Sequence, residues 1–190
     1  MNSRTGRTEP NVQARPSEKE AIRLLATAGC SHAVIRHCQA VAALATRIAQ
    51  KIADHGTSID VDLVRIGALL HDLGRARTHG IDHAVVGAAM ARSLSLPAPL
   101  VHIIERHIGS GLTAAEAAQL GLPKRSFLPR SLEEKVVAYA DKRIARSREV
   151  SFDDALTAFS RELGRVLGAP AINRLKHLHN ELTTLTGASS

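Results

Sequence analysis

The chain has 190 residues, 44% of them apolar, which suffices for one domain with a full hydrophobic core and is short for two. No apolar run nears the roughly 20 residues of a membrane-spanning helix, and the opening residues lack the pattern of a secretory leader, so a cytoplasmic protein with no membrane partner is expected. A formal charge of +7 favours anionic partners, whereas 2% aromatic residues and no tryptophan weigh against a single-strand-binding surface built on stacking.

Residues 1–16, "MNSRTGRTEPNVQARP", are polar and punctuated and predict a flexible tail ahead of a domain over 17–186. Ser17 and Glu20 form a capping pair at the start of a helix that ends near Gly29. A longer helix runs from about Ser31 to His55, with Val34, Cys38, Val41, Ala45, Ile48 and Ile52 recurring as one buried stripe, and Gly56 stops it. Cys30 and Cys38 are too few for a disulfide framework or a four-thiolate zinc site, and Cys38 reads as a small core residue. A third helix, Asp60 to Leu70, runs into the loop "HDLGRARTHG". "IDHAVVGAAMARSL" and "PAPLVHIIERH" are the next two helices, the second opened by proline. Thr113 and Glu116 cap a short helix closed by Gly121, and Ser131 and Glu134 repeat the pair before "LEEKVVAYADKRIA". Ser151 caps "FDDALTAFSREL", and a last helix covers roughly Ala171 to Leu185. With no convincing strand alternation and no internal repeat, the reading is all-α, a single compact helical bundle.

Several polar groups face the wrong way for a solvated surface. His37 lies on the buried stripe of its helix. Asp141 follows Val137 by four residues and precedes Ile144 by three, on the apolar side of its helix. A buried ionised carboxylate requires an arginine, several donors or a metal. Lys142 and Arg143 are poor local partners, because neighbours along a helix do not face each other. His71 and Asp72, directly after Gly67, Ala68, Leu69 and Leu70, make the same demand. His83 shares a face with Val86, Gly87 and Met90, and His107 follows Ile103 and Ile104. One metal cluster accounts for all of these groups together. Imidazole and carboxylate without thiolate suit manganese, iron, cobalt or nickel, with zinc possible and structural tetrahedral zinc disfavoured. His32, His55, His79, His102, His177 and His179 read as surface or packing residues.

His37, the His71–Asp72 doublet and Asp141 in "YADKR" resemble the H…HD…D signature of HD-superfamily metal-dependent phosphohydrolases. "HDLG" followed by "IDHAVVGAAMA", "IIERHIGSGL" and "SLEEKVVAYADKR" is similar to the HDIG subgroup, over roughly residues 20–150. The resemblance implies an all-α HD-domain bundle with His37, His71, Asp72 and Asp141 holding an ion between helices. His83 and His107 match two further histidines of members similar to HD-GYP phosphodiesterases, which implies a second ion and a bridging Asp72. No "GYP" segment follows, so a cyclic dinucleotide substrate is not supported. The implied reaction is hydrolysis of a phosphomonoester or phosphodiester, of a nucleotide or similar small anion, by a hydroxide held between ions about 3.5–4 Å apart, with Asp72 orienting it.

Arg75, three residues after Asp72 where related two-metal enzymes often carry lysine, is expected to grip phosphate with its planar fork. Arg77 and Arg106 are further substrate-binding candidates, Arg106 beside the "GSG" at 109–111, although a helix end and turn is the stronger explanation of that segment. Lys124, Arg125 and Arg130 form a charged loop able to steer an anion. Two other readings stand beside hydrolysis: oxygen-dependent chemistry at a di-iron centre, which some HD-family members resemble, and a non-catalytic protein that binds nucleotide or RNA. RNA as substrate and a homo-oligomer are both compatible with the sequence.

Overall fold

The computed structural model describes residues 14–187; the expected tail lies outside the described residues as far as residue 13. Side chains begin most of the helices. Ser17 accepts from Glu20 N–H while the Glu20 carboxylate accepts from Ser17 N–H, opening α1 (Glu18–Ala28), and Gly29 closes it at φ 99°. Ser31 caps α2 (His32–Asp54), whose buried residues include Cys38, Val41, Ala45 and Ile52. Val34 and Ile48, on the flanks of that stripe, are half-buried. Asp60 caps α3 (Val61–Leu70), which is buried at Leu63, Val64, Ile66, Gly67, Ala68, Leu69 and Leu70. A helix this apolar must be enclosed, and α2, α1, α5 and α7 pack around it. Each fully buried leucine or isoleucine contributes about 1.5–3 kcal/mol, so α3 is the axis that fixes its own C-terminal end in space.

Beyond α3 a 3₁₀ turn (Leu73–Ala76) leads to α4 (His83–Ser93), α5 (Ala98–Arg106), α6 (Ala114–Gln119) and α7 (Leu132–Lys142). Two glycines set the spacing between the turn and α4. A Cβ on Gly74 would fall on the His83 carbonyl oxygen and lie 2.6 Å from Gly87 N, and one on Gly87 would lie 2.8 Å from Gly74 N. Backbone therefore rests on backbone, and the residues on either side, Asp72 and His83, are drawn together.

The helical class is as expected; several boundaries are not. α7 ends at Lys142, not at Ala145, because Ile144–Ala145 (β1) pairs antiparallel with Arg148–Glu149 (β2). Two hydrogen bonds close the base of this hairpin: Val150 N–H donates to Arg143 O at 2.9 Å, and Arg143 Nε donates to Val150 O at 2.7 Å. Strands this short carry no alternation to read. Ser131 caps α7 as expected, but Glu134 does not reciprocate; its carboxylate accepts from Arg130 N–H and from Arg106 instead. After α8 (Phe152–Glu162) comes a single turn, α9 (Gly164–Leu167), and α10 (Ala169–Leu185) starts two residues before the expected Ala171. Among the described residues no helix is long and apolar enough to cross a membrane.

Candidate metal centre

Five helical segments bring the six singled-out imidazole and carboxylate residues to one place. His37 comes from α2, His71 caps the C-terminus of α3, Asp72 precedes the 3₁₀ turn, His83 opens α4, His107 ends α5 and Asp141 lies in the last turn of α7. Asp141 Oδ1 is 3.0 Å from His37 Nε2 and 3.5 Å from His71 Nε2. Asp72 Oδ2 faces the same two histidines, at 4.0 and 3.7 Å. Its Oδ1 faces the other pair, 3.3 Å from His83 Nε2 and 3.7 Å from His107 Nε2. Asp72 thus stands between two groups of donors, one carboxylate oxygen toward each.

The imidazole protons decide what this arrangement can hold. His71 Nδ1 donates to Ala68 O at 2.6 Å, His83 Nδ1 to Gly80 O at 2.8 Å, and His107 Nδ1 to Ile104 O at 2.8 Å. A neutral imidazole has one N–H, so all three present a bare Nε2 lone pair to the centre. His71 Nε2 is buried and without a hydrogen-bond partner among the described residues. His83 Nε2 and His107 Nε2 lie 2.9 Å apart. With both Nδ1 protons already placed, that approach sets lone pair against lone pair, and a shared cation resolves it. Orientation of metal-binding histidines by a backbone carbonyl on the far nitrogen is the usual device for fixing tautomer and ring direction. The residues present therefore fit a divalent cation, and two donor sets that have His71 in common, His37–His71–Asp141 and His71–Asp72–His107, have ligand atoms close enough to hold one ion.

Charge agrees with geometry. Burial works against ionisation of Asp72, yet the His71 and His107 rings outweigh it and hold its carboxyl down at about 2. Asp141 is likewise held well below the carboxylate range, against its burial, by Lys142, His37 and His71. His107 is pushed well below the ordinary imidazole value by burial and by neighbouring His71 and His83, and His83 is lowered by burial and Arg75 against Asp72. His71 is raised despite its burial, by Asp72 first and then by Cys38 and Asp141.

Around the centre lies a cleft of about 460 Å³. Arg75 lines it, anchored by Nε to Asp72 Oδ1 at 3.3 Å and by Nη1 to His79 O at 2.7 Å. Arg77 is exposed and does not line the cleft. Arg106 is turned elsewhere: Nη1 lies 2.8 and 3.0 Å from the two carboxylate oxygens of Glu134, which is buried beside the half-buried arginine. Arg125 pairs with Glu105, and Arg130 is engaged at its backbone by Glu134. Sequence reasoning set Lys142 aside as a poor partner for Asp141, which the structure corrects. Its Nζ sits 2.7 Å from Asp141 Oδ2, because α7 ends there and a long side chain can curl back along the helix end. It also passed over the inner wall of the cleft, supplied by α8, whose Ala155 and Phe159 look like ordinary core positions.

The fold and this centre define an all-α domain organised around a histidine–aspartate cluster able to hold metal. The chain belongs to the HD domain family, whose pattern matches residues 34–146. Among similar proteins, an uncharacterised protein of Methanocaldococcus jannaschii is 47% identical over 156 residues, covering 82% of this chain and 91% of that protein. A tRNA (cytidine(56)-2'-O)-methyltransferase of Picrophilus torridus is 36% identical over 176 residues, or 93% of this chain and 49% of the enzyme, so the chain spans about half of that relative's length. The HD domain of the L. monocytogenes phosphodiesterase PgpH, solved in complex with cyclic-di-AMP, shares the fold with a TM-score of 0.51 and 16% identity over 88% of this chain and 96% of that one.

Proposed function

We propose that the chain is a metal-dependent phosphohydrolase, folded as one domain over residues 17–186, that cleaves a phosphate ester of a nucleotide or similar small anion. The observation that carries this reading is the convergence of three bare Nε2 lone pairs on two ionised aspartates. Bound cations at such a site acidify water and neutralise charge on a phosphoryl group, the two requirements of ester hydrolysis at neutral pH. Membership of the HD domain family supports the same chemistry.

The protein's own groups do the rest. Asp72, facing both groups of donors, holds the nucleophilic water between them and aligns it. Arg75 is pre-set by its bonds to Asp72 and His79, leaving Nη2 to take a phosphoryl oxygen. Lys142 fixes Asp141 through Oδ2, which keeps Oδ1 turned toward His37 and His71. Manganese, iron, cobalt and nickel are the cations the donor set favours. The methyltransferase name of the P. torridus relative belongs to a protein about twice this length; we assign hydrolysis to the shared half because its buried centre gathers metal donors.

Metal analysis of the anaerobically purified protein, followed by turnover of nucleoside mono-, di- and cyclic phosphates with each cation, tests the reading. Stoichiometric metal and metal-dependent release of phosphate or a nucleotide monoester is the expected result. Oxygen consumption by the iron-loaded protein with no ester cleaved under any cation would replace it with the oxygenase reading. RNA binding with a steep salt dependence and no hydrolysis would replace it with the binding one.

A further inference from the structure

The cleft is larger than a phosphate and its ions need, and its two walls differ in chemistry. One wall is the metal centre with Arg75 and Lys142. The other is a stripe of α8 and its C-terminal end: Asp154, Ala155, Ala158, Phe159, Glu162 and Leu163, spaced so that they share one helical face roughly 12 Å long. No lysine or arginine lies on that stripe; Arg161 points off it. A cleft of about 460 Å³ suits a small organic ligand.

We propose that the α8 wall is a subsite for an amino-bearing nucleobase, so that the substrate is a small nucleoside phosphate and not a polynucleotide. The proposal rests on the phosphohydrolase reading for the phosphate end only. Three features carry it. Apolar side chains of Ala155, Ala158 and Phe159 from α8, with Ile81, Ile108 and Ile144, line the cleft and give a flat ring surface to bury against. The only side-chain polar groups on the α8 stripe are acceptors. Glu162 is exposed and makes no hydrogen bond or ion pair among the described residues, although its charge is felt by Lys142 across the cleft. Asp154 is occupied at Oδ2 by the Ser151 hydroxyl, 2.7 Å away, and keeps Oδ1. A carboxylate repels further phosphates, which disfavours a polyanion threaded along this wall, and it accepts from an exocyclic amine. A wall that offers metal donors and a guanidinium, faced by a wall that offers apolar surface and carboxylate acceptors, matches the two chemically different ends of a nucleoside phosphate.

Calorimetry of phosphate-free nucleosides with the manganese-loaded protein reads the subsite directly. Adenosine is expected to bind about tenfold more tightly than purine riboside, which lacks the amino group, and Glu162→Leu, which removes the acceptor, should erase most of that difference. Ala158→Trp, at an exposed position that leaves the core intact, should abolish binding of both by filling the wall. Hydrolysis gives the second arm: kcat/KM for adenosine 5′-monophosphate or the 2′,3′-cyclic phosphate should exceed that for ribose 5-phosphate and for a short oligoribonucleotide. Equal or undetectable binding of the two nucleosides overturns the subsite even if every ester is cleaved, as does a preference for the oligoribonucleotide. Adenosine binding that responds to both substitutions, with no ester cleaved under any cation, leaves the subsite standing and removes the hydrolytic reading instead.

Discussion

Buried carboxylates occur in two settings in this fold, and their partners separate structure from function. Glu105 accepts from Arg92 and Arg125, at 2.8 and 2.7 Å, and Glu134 from Arg106 and the Arg130 N–H. Both are answered by donors the chain itself supplies. Asp72 and Asp141 are surrounded mainly by imidazoles whose Nδ1 protons are already given to backbone carbonyls or whose Nε2 atoms point inward. The first arrangement is complete without a ligand; the second, beyond the contacts of Arg75, Lys142 and His37, turns imidazole lone pairs toward carboxylates and toward one another, an arrangement that a cation or extra protons would relieve. A buried acid is thus no signal by itself. The direction of the neighbouring N–H bonds is.

The largest expected effect breaks the metal side of this comparison. Asp72→Asn should lose bound metal, reduce kcat/KM for the phosphate ester by about a thousandfold, and abolish the stabilisation by manganese, which for the wild type at a hundred times Kd is about 2.7 kcal/mol. Metal analysis and thermal melts with and without the ion check it; retained stoichiometry would show that Asp72 is a structural acid after all. The structural side breaks differently. Arg106→Ala leaves Glu134 buried without its counter-charge and held only by the Arg130 N–H, which should cost about 3 kcal/mol in urea unfolding with metal stoichiometry retained, whereas Arg106→Met combined with Glu134→Met should recover part of that loss.

The same distinction explains what the sequence could reveal. Helices with capping side chains and sustained periodicity, such as α1 and α2, are legible because each turn repeats the signal. His37, His83, His107 and Asp141 are legible as polar residues on apolar faces, and the His71–Asp72 doublet as a polar end to an apolar helix. Arg106 illustrates the limit. Its position beside His107 points to the cleft, yet its partner Glu134 lies 28 residues away and is fixed only by the docking of α5 on α7. Lys142 fails for the opposite reason, since the rule that adjacent helical residues diverge holds inside a helix and lapses at its last turn. The α8 wall carries no motif; only tertiary packing turns Ala155 and Phe159 toward a cleft.

Protons sharpen the comparison at intermediate magnitude. Asp72 is held at about 2 in the folded protein against an ordinary value of 3.8. A carboxyl lowered on folding contributes stability that is complete above its unfolded value and is lost as pH falls through the folded one. In metal-free protein Asp72 should therefore supply about 2 kcal/mol above pH 4 that disappears toward pH 2. Acid unfolding followed by circular dichroism should be steeper for the wild type than for Asp72→Asn over that window. Equal slopes would mean that the histidines around Asp72 do not stabilise its charge.

The smallest effect concerns backbone and not charge. The hairpin that ends α7 turns through Arg146 and Ser147, both left-handed at φ 49° and 63°, the pairing expected of a type I′ turn but without its usual asparagine and glycine. Each non-glycine residue in that region costs about 1–2 kcal/mol, and the gain from glycine is partly offset by the freer unfolded chain. Arg146→Asn with Ser147→Gly should thus raise stability by about 1 kcal/mol while leaving metal affinity unchanged, as read by urea unfolding and metal titration. Metal affinity is the informative half. Ile144, Ala145 and Val150 of the hairpin line the cleft beside Asp141, but the clamp between Arg143 and Val150 holds its base independently of the turn. A shift in metal affinity would mean that strain at the turn is transmitted through that clamp to the last turn of α7, and that the centre is set by the hairpin as well as by the five helical segments.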